Sequence, residues 1–199
     1  MSDQNSLLKI IKTTEKIISE KGCKKTTLND IIKRSGLSKG AIYHYVQSKN
    51  ELFALVLKHQ LEEVDRQFIA STKEDKNNKK LGKPLRTSMR SFEHSKGSVS
   101  NQIFFYLLSN QSSSIDEEIL NQFQEINMQQ SIKWIEAGKK AGKIPEHLDA
   151  EKVSNFLVVL GYGTRVQAMI NEQEPLLTSD EIFSIMKHML SNPMFHHEK

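Results

Sequence analysis

Apolar residues recur along almost the whole chain at intervals of three and four, and no stretch of four or more alternates apolar with polar residues between turn signals. That spacing matches a 3.6-residue helical turn and not the two-residue repeat of a half-buried strand, so an all-α fold is expected. Leu7, Ile11, Thr14 and Ile18, thickened by Ile10 and Ile17, predict a first helix over 6–21 that stops at Gly22. A second, short helix starts after Thr26 or Thr27, either of which can cap it, and buries Leu28, Ile31 and Ile32. Ser35, Gly36 and Leu37 break the pattern, with Gly36 suited to a left-handed turn. Ser38 then caps a third helix reaching Val46, about eight residues long. A fourth begins at the capping box Ser48-x-x-Glu51 and continues through Leu52, Leu55, Val56, Val64 and Phe68.

From Ser71 to Pro84 the chain is at its most polar and reads as a loop or a frayed helix end. Helical segments are expected over 85–94 and 99–109, then a long one over 115–140 carrying Ile119, Phe123, Ile126, Ile132, Trp134 and Ile135. Gly142 to Pro145 ends it. Asp149 caps a helix with Val153, Phe156, Leu157, Leu160 and Met169, and Thr178 with Glu181 boxes a last one through Leu190. The expected organisation is a three-helix unit over 1–47 followed by a larger helical domain over 48–199.

Charge distinguishes the two parts. Residues 1–50 hold ten Lys and Arg against four Asp and Glu, a net +6, whereas 51–199 hold eighteen against twenty, a net −2. A basic segment that meets a polyanion, or simply a solvated basic face, accounts for that asymmetry. The longest apolar run, 103–108, falls far short of the roughly 20 residues that span a bilayer, so no membrane segment is expected. The N-terminus lacks the build of a signal peptide, because Lys9, Lys12, Glu15 and Lys16 break up its apolar residues, and a cytoplasmic location follows by default. Cys23 is the only cysteine, which excludes an internal disulfide and a Cys-rich zinc site.

Two short helices joined by a tight glycine turn have the layout of a helix-turn-helix. At 100° per residue, Ile42 and Val46 of the third helix share one face and point to the core, with Ala41 and Tyr45 at its border. Gly40, Tyr43, His44 and Gln47 form the opposite stripe, with Lys39 at the helix start and Lys49 just beyond its end. Such a face can enter a major groove while the cations and N-terminal N–H groups meet phosphates; the alternative is an ordinary helical hairpin facing water.

The segment from Thr26 to Phe53, with its Ser35-Gly36-Leu37-Ser38 turn and Ala41-Ile42-Tyr43-His44-Tyr45 helix, resembles the N-terminal signature of the TetR family of bacterial transcriptional regulators. The likeness covers about residues 6–57. It implies an all-helical homodimer with an N-terminal DNA-binding three-helix unit and a divergent C-terminal domain that binds a small inducer and dimerises. Carried over by position, Thr27, Ser38, Lys39, Gly40, Tyr43, His44 and Lys49 match positions that commonly contact DNA in the family. Cys23 stands where an aromatic is common, Ala41 where Thr or Ser is common, and Val46 where Phe is common. The first and third read as packing changes; the second removes a hydroxyl from a DNA-contacting position.

Beyond residue 57 the residues speak for themselves. Ile182, Phe183, Ile185, Met186, Met189 and Leu190 make a stripe too broad for one buried face, and Gly161 and Gly163 allow close backbone approach on the preceding helix. These two helices fit a homodimer interface or a wide intramolecular core. Phe104, Phe105, Phe123, Trp134 and Tyr162 supply apolar walls for a ligand pocket. Arg165 offers a cation for an anionic inducer or for a carboxylate across the dimer. Such walls favour a mainly hydrophobic or aromatic small molecule, most narrowly one with a single carboxylate.

No catalytic residue, metal site or cofactor is expected. His59, His94, His147 and His188 are isolated, His196 and His197 sit in a frayed tail, and Gly161 to Gly163 is too short for a phosphate loop. Cys23 reads as a small buried residue or, if exposed beside Lys21, Lys24 and Lys25, as a redox sensor of lowered pKa. The expected function is a ligand-responsive DNA-binding regulator, a repressor released from an inverted-repeat double-stranded operator by a small hydrophobic molecule. A DNA-binding regulator without an inducer and a small helical enzyme are the alternatives.

Overall fold

The structure is a computed structural model and describes residues 3–74, 97–110, 114–140, 144–170 and 177–190. The expected helix over 85–94, most of the polar stretch before it and the tail with His196 and His197 lie outside the described residues, as do the side chains of Phe183, Met189 and Leu190. The described part holds eight helices: α1 (Asp3–Lys25), α2 (Leu28–Ser35), α3 (Lys39–Tyr43), α4 (Lys49–Glu74), α5 (Val99–Ser109), α6 (Ser114–Lys140), α7 (Ala150–Ile170) and α8 (Ser179–Leu190). The fold is all-α, with no extended strand among the described residues.

Local chemistry sets most of these boundaries. Gly22 sits inside α1 at φ 76° and ψ 165°, a conformation L side chains rarely adopt, so the continuous helix stops there as the sequence predicts. Thr27, not the buried Thr26, caps α2: its Oγ accepts the Asp30 N–H at 3.2 Å, and the Asp30 carboxylate accepts the Thr27 N–H at 2.9 Å. Gly36 at φ 65° closes α2 with its N–H on the Ile32 carbonyl. The same logic works late in the chain, where Asp149 Oδ1 accepts the Glu151 and Lys152 N–H groups, and Thr178 and Glu181 form the expected reciprocal box.

α3 is shorter than the eight residues expected. The Ile42 carbonyl takes both the Tyr45 N–H at 3.0 Å and the Val46 N–H at 3.2 Å, which tightens the last turn. The Gln47 N–H is then drawn to Glu51 Oε2 at 2.7 Å, so the cap of α4 ends α3.

The described residues fall into two compact units. One takes those up to Gln60 with 97–124; the other takes the rest of α4 with those from Glu125 onward. In the first, Ile10, Ile17, Ile31, Ile42, Val46 and Leu52 form a buried cluster. Each contributes about 1.5–3 kcal/mol relative to exposure, so the three-helix segment rests on aliphatic burial. α5 packs on α1, and Tyr106 meets Phe53 edge-on at 5.4 Å.

The second unit centres on Phe68, Ile135, Ile144, Leu148, Val153, Leu157, Ile182 and Met186. Gly138 is required there for space rather than for backbone freedom. A Cβ on it would lie 2.6 Å from Cδ1 of the buried Ile144, whose N–H also bonds the Gly138 carbonyl.

Candidate nucleic-acid interface

The helix-turn-helix is built from the inside. Ile42 and Val46 are buried, Ala41 and Tyr45 half-buried, and Lys39, Gly40, His44 and Gln47 exposed, with Tyr43 half-buried beside them. Burying Ile42 therefore presents the polar stripe outward without any further constraint. Ser38 caps the helix through the Ala41 N–H at 3.1 Å and is itself exposed, and the Lys39 ammonium lies 5.5 Å from the Tyr43 ring centroid. Gln47 Nε2 donates to the Tyr43 carbonyl at 2.8 Å, which holds its side chain along α3.

The basic residues divide into paired and presented groups. Lys21 pairs with Asp30 at 2.7 Å, and Arg34 with Glu20. The Lys21 ammonium and then the Thr27 bonds hold the Asp30 carboxyl down to about 2. Thr27 Oγ donates to that same carboxylate at 2.6 Å, so the hydroxyl carried over as a DNA contact already has a partner within α2. Lys24, Lys25, Lys33 and Lys39 are exposed.

Lys49 is half-buried and turned inward. Its ammonium donates to the Cys23 carbonyl at 3.3 Å and lies 4.7 Å from the Tyr106 ring centroid and 5.7 Å from that of Phe53. Spacing alone cannot reveal this, because Cys23 and Tyr106 are distant in sequence. Cys23 is buried, and burial pushes its thiol up to about 11, the reverse of the lowering by neighbouring lysines that exposure would bring.

The six candidate ligand residues fall into two groups. In the first unit Phe104 packs against Phe105 and Phe123, with centroids 5.5 and 5.9 Å away. Trp134, Tyr162 and Arg165 belong to the second. Trp134 lies 5.4 Å from Phe68 and donates its indole N–H to Asp65 at 2.9 Å. Desolvation pushes the Arg165 guanidinium down to about 10, against the opposing effect of Tyr162, and leaves it charged at neutral pH. Two buried polar residues that sequence reading passed over, Gln130 and Ser154, belong to this unit too. The available signal was Gln130 standing one turn before Trp134.

No described helix is long and apolar enough to cross a membrane, and the described residues contain no group of three or more metal-ligating side chains.

Two short helices joined at a left-handed glycine, the second with a polar outer stripe, define a helix-turn-helix protein. The family model for bacterial regulatory proteins of the tetR family matches residues 10–56, the segment that holds the helix-turn-helix. The HTH-type transcriptional regulator YvdT of Bacillus subtilis (strain 168) is 37% identical over 60 residues, a match covering 28% of this chain and 31% of YvdT. Two solved structures share the fold along nearly the whole chain. The regulator FadR of Bacillus subtilis with stearoyl-CoA has a TM-score of 0.64 at 19% identity, covering 92% of this chain and 97% of that one. The SmeT–triclosan complex has a TM-score of 0.62 at 17% identity, covering 94% and 90%.

Proposed function

We infer that the protein is a ligand-responsive transcriptional repressor that binds an inverted-repeat DNA operator as a homodimer and is released by a small hydrophobic molecule. The observation that carries this reading is the polar stripe of Lys39, Gly40, Tyr43, His44 and Gln47 on α3 and the turn that follows it, anchored by the buried Ile42 and Val46. His44 and Gln47 read base edges in the major groove, while Ser38, Lys39 and the cations around them hold phosphates, with Thr27 and Lys49 contributing at the rim.

Dimerisation is supported by α7. Val159, Gly163, Val166 and Ile170 recur at i, i+4, i+7 and i+11, on the side away from the buried Val153 and Leu157, and all are exposed. An open apolar stripe of this length fits a second copy of the chain. The aromatic and aliphatic side chains of the second unit support a mainly apolar ligand, in keeping with the stearoyl-CoA and triclosan bound by the two structural neighbours. Such a ligand acts by its differential affinity for two conformations, only one of which sets the two recognition helices at the spacing of successive major grooves. α4 and α6 each contribute residues to both compact units and are continuous covalent routes for that coupling.

The experiment is selection of bound fragments from random DNA, followed by titration against salt. The expected result is an inverted repeat, a steep fall of affinity with salt, and release by lipophilic compounds but not by sugars. A flat salt dependence overturns the DNA-binding reading, and release by sugars alone overturns the ligand class.

A further inference from the structure

The second unit carries two polar atoms that the fold leaves without a use. Gln130 on α6 is 8% exposed and Ser154 on α7 is fully buried, yet neither Gln130 Oε1 nor Ser154 Oγ has a hydrogen-bonding partner among the described residues. A buried serine in a helix ordinarily returns its hydrogen to the carbonyl one turn back, here that of Ala150, and this one does not. Unsatisfied buried polar atoms are costly and uncommon, and two in one small unit call for a cause.

Their positions point to the cause. Gln130 lies one turn before Trp134 and two turns after Phe123 on the same face of α6. Ser154 adjoins Val153 and stands one turn before Leu157 on α7. Trp134, Val153 and Leu157 belong to one hydrophobic cluster, and Gln130 and Ser154 are their buried helix neighbours on α6 and α7. Among the described residues of this unit, Gln130 Oε1 and Ser154 Oγ are the buried side-chain polar atoms without a hydrogen-bond partner.

We propose that Gln130 and Ser154 are the polar anchors of the small-molecule site in the second unit, and that its ligand joins an apolar body to a neutral hydroxyl. The amide oxygen can only accept, so the ligand must bring a donor to it; the serine hydroxyl can meet either role. A carboxylate supplies no hydrogen for Gln130, so an anionic end is the wrong head group. This inference rests on the reading that the second unit receives a ligand, but its test needs no DNA.

Trp134 is the chain's only tryptophan and stands one turn from Gln130, so its emission reports directly on the site. The intact protein is titrated with linear alkan-1-ols of six to ten carbons, the matching alkyl methyl ethers and the matching alkanoates. Saturable change of emission with the alcohols is expected, about tenfold tighter than with the ethers, the ratio of one buried hydrogen bond. In Gln130→Met that preference should shrink to below about twofold, and Ser154→Ala should weaken alcohol binding, while both variants melt no lower than the parent because each removes an unsatisfied group. Equal binding of alcohol and ether, no saturable response across the series, or tighter binding of the alkanoates overturns the proposal. So does a fall in melting temperature in both variants with the alcohol preference intact, the signature of side chains that serve the fold alone. Failure to bind DNA in a protein that still prefers alcohols would sink the regulatory reading and leave this site standing.

Discussion

The ammonium of Lys49 donates to the main-chain carbonyl of Cys23, joining the first turn of α4 to the residue just after the Gly22 break in α1. Stacked also over Tyr106, the cation has structural work apart from any contact with phosphate. Lys49→Ala should therefore destabilise the protein by about 1 kcal/mol and weaken DNA binding by a similar factor on every sequence. Lys39→Ala should reduce affinity and flatten its salt dependence with the melting temperature unchanged. Thermal melts and salt titrations on both variants separate the two roles, and a Lys49→Ala protein with unaltered stability would show that the inward bond contributes nothing.

The α7 stripe makes an oligomeric prediction. Val159 is 60% exposed, Val166 44% and Ile170 73%, whereas Ile182 and Met186 of α8 are buried in their own chain, with Ile185 48% exposed between them. Val166→Lys should yield a monomer by light scattering, and Ile185→Lys should weaken the dimer less. A dimer that tolerates Val166→Lys together with Ile170→Lys places the interface elsewhere.

Acid should loosen the helix-turn-helix through Asp30. Its carboxyl falls from an ordinary 3.8 to about 2 in the folded protein, chiefly through Lys21 and then Thr27. A group whose folded pKa is depressed stabilises the fold above its unfolded pKa, and that contribution disappears as pH drops from 3.8 toward 2. Melting curves of the parent and Asp30→Asn should differ above pH 4 and converge near pH 2; parallel curves throughout that range would count against the assignment.

Cys23 should be inert in the folded state. It is 5% exposed, and its thiol is pushed up to about 11 by burial. Maleimide labelling should be slow in native protein and fast once denaturant exposes the residue. Rapid native labelling would revive the redox-sensor alternative.

Much of the fold was legible because local chemistry decided it. Gly22, Gly36, Asp149 and the Thr178–Glu181 pair act within a few residues, so composition and order were enough. The end of α3 was not, because it depends on Gln47 giving its N–H to the following helix. At the candidate site, the outward stripe of α3 follows from Ile42 and Val46 alone, but the inward turn of Lys49 needs Tyr106, more than fifty positions away. Gln130 and Ser154 were passed over for a related reason: helix periodicity assigns polar residues to solvent, and only packing shows that these two are enclosed.

Gly138 and Ile144 impose an order on sequence change. With 2.6 Å between a would-be Cβ and Ile144 Cδ1, Gly138→Ala is penalised as long as the isoleucine fills its place. Ile144→Val does not suffice, because the Cγ1 it keeps lies 2.8 Å from that position; Ile144→Ala, at about 2–5 kcal/mol, leaves only Cβ at 3.5 Å and makes room for the methyl group. Lineages that diverge in this corner must pass through the smaller side chain at 144 before gaining one at 138, so the two positions drift together and in one direction.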